Sequence, residues 1–148
     1  MIRSLLVQLV LAITFLVAAT PAAMAQSAKP GVVIQVSDGD TKTWNQALNV
    51  IKNVQSEYGK DKVDVELVVF GNGSGLLKFD SPLAGRIDET LASGASVSMC
   101  ENTMKGQKLT KADMHPKVGY VKAGVIEIIE KSRQGLSLIH ISEPTRPY

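Results

Sequence analysis

The sequence predicts a single α/β domain in three layers, a mostly parallel sheet of about five strands with helices on its faces. Three observations carry this expectation. Short β-branched runs alternate with segments of helical spacing all the way from Val32 to Gly135. Glycines and other turn residues punctuate the boundaries between them. The run at 63–70 (VDVELVVF) begins by alternating and then becomes wholly apolar, as a strand covered on both faces does. Strands and helices in this order are joined by right-handed crossovers into a parallel sheet.

The first strand is Val32-Val33-Ile34-Gln35-Val36, entered from Lys29-Pro30-Gly31 and left through Ser37-Asp38-Gly39-Asp40. From Thr41 the period changes. Trp44, Ala47, Leu48, Ile51 and Val54 recur at helical spacing while Lys42, Asn45, Asn49, Lys52 and Asn53 take the other faces, so a helix is predicted over 41–58, closed by Gly59. The second strand, 63–70, ends in Gly71-Asn72-Gly73-Ser74-Gly75. Leu83, Ile87 and Leu91 share one face and predict a helix over 81–91, with Ser81-Pro82 suited to its cap and first position and Gly94 at its end. Ser96 to Cys100 is the third strand, and Asn102 and Thr103 suit the start of a short helix reaching Lys105. A turn or two at 110–114 precedes His115-Pro116, and 118–121 is a weak fourth strand. The last helix begins at Gly124 and carries Lys131 and Arg133 in its final turn, where cations suit the helix dipole. The alternation then asks for one more strand after Gly135.

Both ends of the chain read differently from this core. Residues 1–25 show Arg3, an apolar run from Leu5 to Ala19 and the small-residue ending Ala23-Met24-Ala25, the order of a secretory signal peptide. Pro21 follows the run too soon for a long spanning helix. The expected mature chain starts at Gln26, is periplasmic or secreted, and has no membrane segment. At the other end the composition breaks after Gly135. Residues 136–148 (LSLIHISEPTRPY) resemble the translation of a transposase-type sequencing adapter, which LSLIHISEPTR matches letter for letter. This segment is therefore expected to be an artefact, and any strand in it a substitute without functional meaning. That leaves 26–135 as one domain, too short for two.

Lys plus Arg is 16 against 14 Asp plus Glu, a formal net charge of +2 for the whole chain. Setting aside Arg3, Glu143 and Arg146 reduces it to +1 for 26–135. Such a balance points to neither nucleic acid nor an anionic membrane surface. The single cysteine excludes an intramolecular disulfide. In an oxidising compartment it is either a reactive or intermolecular thiol or a small buried hydrophobe.

Ligands of open α/β sheets bind beyond the carboxyl ends of the strands, which selects three loops: 37–40, 71–75 and 100–102. Gly71-x-Gly73-x-Gly75 has neither Rossmann nor P-loop spacing and reads as a turn that lets backbones approach closely. Asp38 and Asp40 read as turn chemistry rather than an acid/base pair. His115 reads as a turn residue, His140 carries no weight, and no metal-ligand spacing is present. Cys100 stands out because it ends a strand directly before a helix start, where a thiol is acidified; the carboxylate of Glu101 opposes this.

Val69-Phe70-Gly71-Asn72-Gly73 after the second strand, Cys100-x-Asn102-Thr103-Met104 after the third, and Ala123-Gly124-Val125 opening a helix that ends Arg133-Gln134-Gly135 resemble the DsrE/DsrF-like sulfur-relay family across Val32 to Gly135. The Cys-x-Asn-Thr element is the most specific part. The resemblance implies a flavodoxin-like sheet assembled as trimers or hexamers, with Cys100 carrying persulfide sulfur, no cofactor, and Asn102, Thr103, Gly71 and Gly73 shaping its surroundings. The implied partners are sulfur donor and acceptor proteins or small thiols. Two features depart from the family: the exported leader, and the absence of its aromatic C-terminal strand. The alternative expectation is a non-catalytic oligomeric module that binds a small ligand, with Cys100 as pocket lining.

Overall fold

The computed structural model describes residues 29–141; the proposed leader and residues 142–148 lie outside the described residues. Five parallel strands form one sheet: β1 (Gly31–Val36), β2 (Asp64–Val69), β3 (Ser96–Cys100), β4 (Gly119–Val121) and β5 (Ser137–His140), in the order β4-β3-β2-β1-β5. Four α-helices connect them: α1 (Thr41–Tyr58), α2 (Ala84–Ala92), α3 (Glu101–Gly106) and α4 (Gly124–Arg133). This is the three-layer α/β architecture that the alternation predicts.

The strand order decides which face each helix covers. From β1 to β4 every crossover steps in one direction, whereas β4 to β5 steps back across the sheet. Right-handed connections therefore put α1, α2 and α3 on one face and α4 alone on the other. The core divides accordingly. Ile34, Val36, Leu67, Val69, Val97 and Met99 meet Trp44, Leu48, Ile51, Ile87 and Met104 on the first face. On the second, Val33 and Val68 pack with Ile128, flanked by Phe70 and Leu136. Burial of Ile34, Ile51, Leu67 and Ile87, all essentially inaccessible to solvent, contributes on the order of 1.5–3 kcal/mol per side chain.

α1 has the predicted limits. The Asp40 carboxylate accepts from the N–H groups of Lys42 and Thr43, both at 3.1 Å, so the first turn is capped. Gly59, at φ 93°, closes the other end with its N–H on Gln55 O. Trp44 is fixed by its indole N–H, which donates to Asp38 O at 2.7 Å.

Three elements differ from expectation. The Gly-rich run does not simply end β2; it winds into a 3-10 helix, Gly71–Leu77. Its tight seating has a steric reason, since a Cβ at Gly73 would lie 2.7 Å from Val36 O and one at Gly75 2.8 Å from Trp44 Cη2. α2 starts at Ala84 rather than Ser81, because the Ser81 hydroxyl accepts from Leu83 N–H in a turn one step upstream. α3 starts at Glu101, with Cys100 itself in the cap position, so Asn102 and Thr103 lie inside the first turn and not before it. The strand wanted after Gly135 is β5, drawn from the 136–148 tail and paired with β1 from Val32↔Ser137 to Gln35↔His140. Among the described residues no helix is long and apolar enough to cross a membrane.

Candidate functional site

The topology marks one crevice. The connection after β3 leaves to the face of α1 and α2, while that after β4 leaves to the opposite face, so the chain parts beyond the carboxyl ends of these two strands. Such a switch point is where open α/β sheets bind ligands. Cys100, the last residue of β3 and paired with Val121 of β4, stands there. The starts of α3 and α4 flank it.

Cys100 is 5 % exposed. Burial alone pushes its thiol pKa up, but it is outweighed by hydrogen bonds from Gly124 N–H, the Thr103 hydroxyl, Thr103 N–H and Asn102 N–H, and the thiol lies below its ordinary value. Donors aimed at a sulfur favour its charged form. They come from the first turns of two helices, one on each face of the sheet. α3 spans only 6 residues, so direct hydrogen bonds carry the effect rather than a long macrodipole.

A second layer holds these donors. Thr103 Oγ1 accepts from Gly71 N–H at 2.9 Å while its hydroxyl faces the sulfur, so the backbone of Gly71 polarises the donor that Cys100 receives. Gly71 is held at its other polar group too, because Gln107 Nε2 donates to Gly71 O at 2.9 Å. The Ser74 hydroxyl in turn donates to Gln107 Oε1 at 2.6 Å. With φ 57°, Gly71 occupies the left-handed region that glycine tolerates. Asn102 N–H also donates to Lys122 O at 3.3 Å, tying the start of α3 to the loop before α4. The Asn102 residue is otherwise exposed.

The structure thus brings Cys100, Asn102, Thr103 and Gly71 together. Gly73 acts one step away, by packing against β1 and donating to Ser37 O at 3.0 Å. Asp38 and Asp40 serve α1. Buried His115 faces Asp88 at 3.6 Å, and its partners Leu77, Lys117 and Asp88 take no part in the Cys100 network. Among the described residues no group of three or more His, Cys, Asp or Glu could hold a metal ion.

Gly124, Gln107 and Ser74 were not singled out from the sequence as site residues. Gly124 carried a usable signal, a glycine opening a helix after a weak strand. Its lack of a side chain lets α4 approach β2: a Cβ there would stand 3.0 Å from Phe70 Cδ1 and 3.3 Å from Val68 Cγ1. Below the crevice, on the same sheet face as Cys100, buried Glu66 accepts from the Ser98 hydroxyl at 2.9 Å and pairs with Lys131 of α4 at 2.9 Å.

The sequence matches no protein-family model and no curated protein. Solved structures do match. A protein of unknown function, MTH1491 from Methanobacterium thermoautotrophicum, superposes with a TM-score of 0.72 at 22 % identity, over 75 % of this chain and 98 % of that one. BT1422 from Bacteroides thetaiotaomicron, also of unknown function, gives 0.64 at 18 % identity, over 79 % and 99 %. The ychN protein of E. coli gives 0.62 at 10 % identity, over 76 % and 98 %. These similarities establish the fold: a five-stranded, three-layer domain of the YchN/DsrE-like type.

Proposed function

We propose that the protein handles sulfur, with Cys100 as a carrier of sulfane sulfur. The observation that supports this reading is the convergence of N–H groups from α3 and α4, with the Thr103 hydroxyl, on one thiol at the switch point. The thiolate attacks a sulfane sulfur of a polysulfide; the S–S bond breaks, and the shortened polysulfide leaves with the electron pair. Cys100 then holds a persulfide. A partner thiolate attacks its outer sulfur, and the bond to Cys100 breaks to regenerate the thiolate, so no cofactor or net oxidant is required. Incubation with polysulfide should add one sulfur atom to the intact mass of the native protein and none to Cys100→Ser. A wild-type chain that gains no sulfur counts against the reading.

The low exposure of Cys100 favours a second reading, in which the crevice binds a small ligand and the thiol only lines it. A native thiol that neither alkylates nor loads sulfur, in a protein that still assembles, selects that reading.

The same proposal includes export and assembly. Export is supported by the leader pattern of 1–25, and a periplasmic protein whose N-terminal residue is Gln26 is the expected product of fractionation. Assembly into trimers or hexamers is supported by the apolar residues Val125, Ile126 and Ile129 of α4, all exposed in the single chain. Light scattering that shows only monomer would count against it.

A further inference from the structure

A groove of about 330 Å³ runs between α1 and α2, on the outer side of the layer that covers the larger core. The helices are parallel, Arg86 facing Asn45 and Asn49 while Ser93 faces Gln55 further along. Its lining includes Gln55, Ser56 and Lys60 at the C-terminal end of α1 and Ser93 after α2, at the edge of the sheet opposite to Cys100. It is independent of the sulfur-handling reading.

Its charges are unbalanced. Lys52, Lys60 and Arg86 line it against a single carboxylate, Glu89. Among the described residues none of these three cations forms an ion pair, although ion pairs form elsewhere on the surface. Arg86 is the informative one. One end of its guanidinium donates to Asn45 Oδ1 and the other to Asn49 Oδ1 at 2.7 Å, both from α1. Two neutral amides thus fix the fork in place without neutralising it, and of its five donors the remaining ones are free to face a ligand. A cation already held in one orientation loses little freedom when an anion arrives. The floor is closed by a reciprocal pair, Gln55 Nε2 to Ser93 O at 3.1 Å and Ser93 Oγ to Gln55 Oε1 at 2.7 Å, so its polar atoms are satisfied. The side chain of Ile51 and the stems of the lysines supply an apolar wall.

We infer that this groove is a binding site for a small organic anion, an apolar body bearing a phosphate or carboxylate that Arg86 receives with Lys52 and Lys60. The size falls at the lower end of small-molecule pockets, about 300–1,000 Å³. A bidentate contact to planar or tetrahedral oxygens is what a fixed guanidinium offers.

The test is a titration of the full chain, followed by amide NMR shifts, with phenyl phosphate and with benzoate at constant ionic strength. Saturable shifts are expected at Ser56, Thr90 and Ser93. Arg86→Gln should weaken binding about tenfold or more. Asn49→Asp keeps the shape of α1 but gives Arg86 a carboxylate, and should weaken binding comparably even if Arg86→Gln proves poorly folded. Tighter binding of phenyl phosphate assigns a phosphate head group, and tighter binding of benzoate a carboxylate. Shifts that stay linear with both probes, equal affinity in wild type and Asn49→Asp, or shifts confined to the Cys100 crevice would overturn the inference.

Discussion

Replacing Lys131 with Met is expected to cost the fold roughly 3 kcal/mol, the loss seen when one partner of a buried ion pair is removed. Lys131 spans from α4 to β2. Its ammonium lies 2.9 Å from Glu66, whose side chain is 7 % exposed, and 3.6 Å from Glu127. Without it the Glu66 carboxylate keeps only the Ser98 hydroxyl. Met retains most of the apolar stem, so the effect measures the charge and not the packing. Urea unfolding should show a lower midpoint at an unchanged slope. The pH dependence has a definite sign. The hydrogen bond that Lys131 donates to Glu66 raises the Lys131 pKa, burial opposes, and the charges of Glu66 and Glu127 add to the rise. A folded pKa above the unfolded value of about 10.4 means that the stabilisation is complete below that pH. It is lost as pH climbs through the folded value, so on the alkaline side of neutrality the gap between wild type and variant should narrow only in strong alkali. A gap that closes near neutrality would contradict the assignment.

Gly124→Ala should raise the pKa of Cys100 and destabilise the domain together. The added Cβ would lie 3.0 Å from Phe70 Cδ1 and 3.3 Å from both Phe70 Cβ and Val68 Cγ1. The ring must yield, or α4 must lift from the sheet, at about 1–3 kcal/mol for overpacking. Lifting α4 withdraws the Gly124 N–H, the foremost of the groups that oppose the effect of burial on the thiol. The midpoint of pH-dependent alkylation should then move toward the value of about 8.5 for an unperturbed thiol. A destabilised variant with an unmoved midpoint would show that this N–H does not hold the thiolate.

Much of the fold was legible because its signals are local. Trp44, Ala47, Leu48 and Ile51 report the α1 period directly, and Asp40 and Gly59 stop it at both ends. The apolar run from Leu67 to Phe70 reports a strand covered on both faces. The Gly71–Leu77 winding was not legible, because it depends on what lies opposite Gly73 and Gly75, namely Val36 O and the Trp44 ring. The site was half legible. Cys100 could be placed from its position before a helix, whereas the contribution of Gly124 arises from strand order, which sends α3 and α4 to opposite faces of the sheet. Periodicity along the chain does not encode that order. Gln107 was missed for a similar reason, since its role lies in clamping Gly71, 36 residues away.

The measurement closest to the central claim is the alkylation rate of Cys100 in the native, full-length protein as a function of pH. With the N–H groups of Asn102, Thr103 and Gly124 and the Thr103 hydroxyl directed at the sulfur, the rate should reach half its plateau below the value of about 8.5 typical of free cysteine. A midpoint at or above that value, or a thiol that reacts only after unfolding, would contradict the account of Cys100 as a stabilised thiolate.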